Sequence, residues 1–185
     1  MKVSNSLRVL FAVNSIFVFA SQLLGPLFAV YVLRIDGGIM LISLATTTFL
    51  LSSTLFLTLI SKWGAVIKQK EFMLAAGYLL RALGWLGYIF VSTPISLVLL
   101  QLIFGLGDAL GTPSFSAIFA EHVNKENDVS MFADWSVISN VIMALGTILG
   151  GLLVTIWGFN VLFVIMAVMA MASFTIILMM PRRVL

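Results

Sequence analysis

Residues 146–163 read GTILGGLLVTIWGFNVLF, without one charged side chain. The apolar run around them extends from 134 to 180. A membrane-spanning helix needs only about 20 mostly apolar residues, so this run is predicted to be two helices, 134–157 and 159–180. Little more than Gly158 joins them, so they must be antiparallel neighbours.

The rest of the chain is similar in character. Of its 185 residues, 62% are hydrophobic and 9% charged, and the mean hydropathy is +1.18. Soluble domains carry about 25% charged residues. A water-soluble globule, a disordered chain and a nucleic-acid module are thereby excluded, and a net charge of +3 is no basic patch for a polyanion. The absence of cysteine removes disulfides, zinc ribbons and thiol nucleophiles, and one histidine leaves no multi-histidine metal site. No phosphate loop, nucleophile elbow or paired acid set is visible. The expectation is an all-α, multi-pass membrane protein with no enzyme activity, no cofactor and no metal.

Four further segments complete a six-span reading: 7–33, 38–60, 71–91 and 95–120, all within one bundle over 1–185. A β-barrel would show period-two alternation instead. The basic residues set the orientation. Lys2, Arg8, Lys62, Lys68, Lys70, Lys125, Arg182 and Arg183 fall on one side, whereas Arg34 alone lies on the other and Arg81 lies within the third span. By the positive-inside rule both termini are cytoplasmic. Tyr31, Tyr88, Trp135 and Trp157 fall near span ends, as interfacial aromatics do. The first apolar stretch is longer than a signal-peptide core and lacks a cleavage site, so residues 1 and 2 are read as a native start and 181–183 as a cytoplasmic stop. His122 is read as part of a solvated loop. The expected location is the inner or plasma membrane of a prokaryote.

Two features repeat. Leu24, Gly25, Pro26, Leu27 and Phe28 in the first span echo Leu110, Gly111, Thr112, Pro113, Ser114 and Phe115 in the fourth. Both are predicted Gly/Pro breaks, since proline removes a backbone donor and clashes with the preceding turn. Matched interruptions three helices apart point to a 3+3 inverted repeat. Gly107 with Gly111, and Gly146 with Gly150 followed by Gly151, have the small-residue spacing that lets helix backbones approach.

The glycine run and turn at 146–163 resemble the fifth and sixth helices of a major facilitator superfamily half. Gln101, Gly105, Gly107, Asp108, Gly111 and Pro113, continuing to Ala120 and Glu121, resemble that family's fourth helix and its cytoplasmic exit. The sequence departs from the family pattern in three places: no proline lies in the fifth-helix glycine run, Gln101 stands where an arginine is frequent, and Ser61 stands where the loop between the second and third helices usually has aspartate. The resemblance implies a half-size transporter bundle in which the first, second, fourth and fifth helices line the cavity or the half-to-half contact. The third and sixth would be peripheral, which suits an apolar sixth span facing lipid.

Ionised groups at the bilayer centre cost about 2.5–3.5 kcal/mol on insertion scales. Asp108 and Arg81 are the two candidates, at depths that a long arginine side chain can reconcile. Asp108 is read as a proton-coupling carboxylate, as a structural partner of Arg81, or as a contact for a cationic substrate. Asn14, Gln22, Gln101 and Asn140 are the candidate cavity residues, because a buried amide needs partners. Serines and threonines are discounted, since they bond to their own helix.

The leading expectation is a secondary transporter of a small solute, working by alternating access as a parallel homodimer, with proton coupling as symport or antiport. The partner is a second copy or another six-helix half, in membrane lipid. The alternatives are a non-transporting scaffold or assembly subunit, and one half of a longer transporter. Sparse cavity charge argues against strongly anionic substrates.

Overall fold

The computed structural model describes residues 5–35, 38–63, 69–122 and 128–180. All of its regular elements are helical: α1 (Asn5–Leu24), α2 (Leu27–Leu33), α3 (Ile39–Trp63), α4 (Lys70–Tyr88), α5 (Pro94–His122) and α6 (Asp128–Met179). Lys2, Lys68, Lys125, Arg182 and Arg183, on which part of the orientation rests, lie outside the described residues.

The first predicted span is two helices rather than one. It breaks at Gly25–Pro26 and resumes at Leu27, with the Phe28 N–H closing a tight turn onto the Gly25 carbonyl at 3.3 Å. The matching break predicted at Gly111–Pro113 does not occur. Pro113 lies inside α5, which continues through it. A proline costs that helix one backbone hydrogen bond, and the buried neighbours Gly111 and Ser114 hold the helix on either side of it in sequence.

α6 is helical on both sides of Gly158, which has φ +80° and ψ 179°, a conformation open essentially to glycine alone. Before it, Trp135 stacks on Phe11 with ring centres 4.8 Å apart, and a methyl group on Gly150 would strike the Leu23 carbonyl. That half therefore runs parallel to α1. After Gly158, Phe163 meets Tyr31 at 5.0 Å and Ser173 Oγ donates to the Val13 carbonyl at 3.1 Å, so the second half runs antiparallel to α1. Gly158 is the hairpin.

By length and composition four segments can cross a membrane: Leu7–Leu24, Ile39–Lys62, Pro94–His122 and Val129–Met179. The last, folded at Gly158, supplies two crossings. α4 carries Lys70, Glu71 and Arg81 and is less apolar, yet its 19 residues make about 28 Å of helix, close to the hydrocarbon thickness. It lies antiparallel beside α5, from the Lys70–Glu121 ion pair at one end to Tyr88 stacked on Phe104 at the other.

The second half of α6 is not a purely lipid-facing helix. Leu162, Phe163, Met166, Ala170 and Ser173 form a fully buried face against α1 and α4, while Val161, Val164 and Val168 point outward. Lipid is as apolar as leucine, so shape rather than polarity separates the two faces. Tyr31 and Tyr88, expected at the membrane surface, are also interior, whereas Trp157 is exposed. Tyr31 Oη donates to the Tyr88 carbonyl at 2.6 Å, and both rings pack on Phe163.

Candidate functional site

The polar interior centres on α4 and α5. Helical spacing places Asp108 and Thr112 on one face of α5, and glycines clear the space in front of them. A side chain at Gly77 would begin 2.7 Å from the Gly111 Cα, and one at Gly107 would meet Arg81 Cγ at 3.1 Å. The glycines at 107 and 111 therefore let α4 approach and give the arginine a channel across to α5.

Arg81 pairs with the Asp108 carboxylate. Asp108 also accepts from Ser53 Oγ of α3 at 2.9 Å and from Thr112 Oγ1 at 2.8 Å. The arginine head lies 5.0 Å from the Phe17 ring centre of α1, a cation–π contact. One carboxylate thus ties three helices, and the arginine reaches a fourth. The side chains retain 14% and 25% of their exposure, so the pair is shielded without being sealed. Ser53 and Phe17 were not singled out in the sequence; hydroxyls are abundant on the second span, and periodicity does not mark which one faces an acid.

The four amides part ways. Asn14 is buried and its Oδ1 accepts from Tyr78 Oη at 2.8 Å. Gln101 is buried and donates to Tyr88 Oη at 3.0 Å. Gln22 donates to Thr147 Oγ1 at 3.2 Å, linking α1 to α6. Asn140, expected in the cavity, is exposed on the outer face of α6.

Of the packing glycines, Gly146 and Gly150 back onto the Phe19 and Leu23 carbonyls of α1. Gly151 has open space where a side chain would stand, so it is not part of that contact. Gly25 and Pro26 are exposed at the break between α1 and α2.

Two cavities lined by described residues bear on the polar interior. One, of about 290 Å³, reaches Gln101, Ser21 and Tyr88. The other, of about 320 Å³, lies among α1, α4, α5 and the first half of α6 and reaches Asn14, Arg81, Thr112 and Ser139. Among the described residues no cluster of three or more metal-binding side chains occurs.

The sequence of this chain matches the family model of the Major Facilitator Superfamily over residues 10–184. The chain belongs to the major facilitator superfamily. It is accordingly an integral membrane protein of a transporter family and not an enzyme. No curated protein matches it. The glycine-lined α4–α5 contact and the Gly158 hairpin are this member's means of closing a six-helix bundle.

Proposed function

We propose that the chain is a half-size secondary transporter of a small solute, paired through α3 and the first half of α6 with a second copy or another six-helix half. Alternating access requires two bundles rocking about a central site. In this reading both termini are cytoplasmic, and the bundle is a 3+3 inverted repeat. One sequence interval separates Asn14 from Gln101, Phe17 from Phe104, Pro26 from Pro113 and Phe28 from Phe115, which supports the repeat.

The observation that carries the pairing is the outer face of those two segments. α3 is the least buried candidate span, and its exposed side includes Ser43, Thr46, Thr54 and Thr58 among leucines. The first half of α6 shows the exposed amide of Asn140 and the uncovered Gly151. An amide facing hydrocarbon is costly, and small or hydroxylated positions are what helix contacts in membranes use. Cover by another half satisfies both.

The chain has no cysteine of its own, so single-cysteine variants test this directly. Asn140→Cys is expected to cross-link between copies in proteoliposomes that take up solute, while Val168→Cys is not. Cross-linking only at Val168, or monomers throughout active liposomes, overturns the homodimer.

A further inference from the structure

The cavity of about 320 Å³ contains a polar group with nothing to bond to. Ser139 is 9% exposed, and its Oγ is buried without a hydrogen-bond partner. The hydroxyls around it on the same helix behave differently. Ser136, Thr147 and Thr155 each donate to the carbonyl four residues earlier, at 2.8, 2.9 and 2.8 Å. That bond is locally open to any helical serine, and Ser139 does not take it. Ser139 is one of the residues that line the cavity.

The lining around it is mixed in a definite way. Phe17, Phe115 and Trp135 supply flat apolar surface, and Asn14 supplies an amide half engaged by Tyr78. Arg81 reaches the same wall, but Asp108 neutralises it. A charged solute entering here would lose its hydration without gaining a free countercharge. A neutral solute with a flat apolar body would stack on the rings, and its hydroxyl or amide would supply the partner that the buried Ser139 Oγ lacks.

We propose that this cavity is a binding site for an uncharged, flat-bodied solute bearing hydroxyl or amide groups, with Ser139 Oγ as the hydrogen-bonding residue that selects it. The proposal rests on the transporter reading only for the source of the solute; binding itself needs neither transport nor a second copy.

The test uses the full chain in detergent with 4-nitrophenyl β-D-glucoside, a neutral aryl polyol, and 4-nitrobenzoate, its charged counterpart. Binding is read by quenching of tryptophan fluorescence, to which Trp135 contributes from the wall. The glucoside is expected to bind and the benzoate to bind at least tenfold more weakly. Ser139→Ala is expected to weaken glucoside binding about five- to tenfold, the size of one lost hydrogen bond. The same variant should leave the ligand-free Tm unchanged or higher, because it removes an unsatisfied buried hydroxyl. A purely structural serine would move Tm downward and leave affinity alone, and that result overturns the proposal. Equal affinity for the benzoate also overturns it. Should Ser139→Ala fail to fold, Ser139→Cys serves. Its conversion to a mixed disulfide by a small methanethiosulfonate reagent, with methanesulfinate as the leaving group, is expected to slow in the presence of the glucoside, and an unchanged rate counts against the site. Binding without solute uptake in liposomes would leave this site standing and remove the transporter reading, whereas uptake without binding would do the reverse.

Discussion

Asn14 on α1 and Gln101 on α5 each hold a buried amide against a tyrosine hydroxyl of the same helix, α4: Tyr78 at 2.8 Å and Tyr88 at 3.0 Å. α4 is therefore the bundle's polar spine, although its charges make it the least obvious membrane helix. Its two tyrosines reach opposite neighbours and fix their rotation about their own axes.

The Gln101–Tyr88 bond is expected to contribute modestly. Interhelical hydrogen bonds in membranes average about 0.6 kcal/mol, with a maximum near 1.7. A double-mutant cycle with Gln101→Leu and Tyr88→Phe, read by unfolding in mixed micelles, should give a coupling in that range. Tyr88→Phe keeps the stacking on Phe104 and the ring contact with Phe163, so the loss is confined to the hydroxyl. A coupling near zero would show that the two groups are only adjacent.

Asp108→Asn leaves Arg81 without its countercharge. Breaking a fully buried pair costs about 3–5 kcal/mol. The partial exposure of both side chains discounts this to roughly 1–3 kcal/mol. Arg81→Met combined with Asp108→Leu should recover most of that loss, since apolar replacements of a buried pair are often neutral. In proteoliposomes, Asp108→Asn is expected to abolish uptake driven by a pH gradient and to spare solute exchange. Driven uptake at the original rate would reduce Asp108 to a structural partner.

Adjacent glycines should respond oppositely. At Gly150 a methyl group collides with the Leu23 backbone of α1, and neither backbone can yield without parting the helices. Gly150→Ala should cost at least the 1–3 kcal/mol typical of overpacking. Gly151→Ala meets open space within its own bundle and, in the monomeric half in detergent, should be neutral or stabilising by up to about 1 kcal/mol through helix propensity. Thermal unfolding of the two variants side by side decides it, and equal losses would contradict the α1–α6 packing.

The orientation can be read chemically. Gly38→Cys precedes α3 and Lys62→Cys lies in its last turn. In intact cells a membrane-impermeant maleimide is expected to label Gly38→Cys, and to reach Lys62→Cys only after permeabilisation. The reverse pattern would invert the topology.

Much of the bundle is legible from hydropathy alone, because a hydrocarbon solvent imposes the same demand on every span. Residues 134–180 must fold back on themselves, and Gly158 is the place to do so. Proline, by contrast, is ambiguous without its surroundings. Pro26 ends α1 where Gly25 and exposure let the chain loosen. Pro113 is carried inside α5, just after residues held by Arg81, Ser53 and the Gly77 backbone.

The candidate site was legible as residue types and not as a constellation. Composition marked Asp108 and Arg81, since a charge in an apolar span is rare and costly. It did not mark Ser53, Tyr78 or Tyr88, whose types are common at membrane surfaces and in helix contacts. Asn140 illustrates the converse. An amide in a span implies a partner, yet the first half of α6 turns this one outward, away from its own bundle. The rotation of each helix about its axis decides such matters. Apolar surroundings leave that rotation unspecified in sequence, because the lipid-facing and protein-facing sides are equally hydrophobic. Hydropathy thus determined that the chain spans the membrane and where it turns. Only tertiary packing, through glycine contacts closer than any side chain allows, decided which polar groups meet.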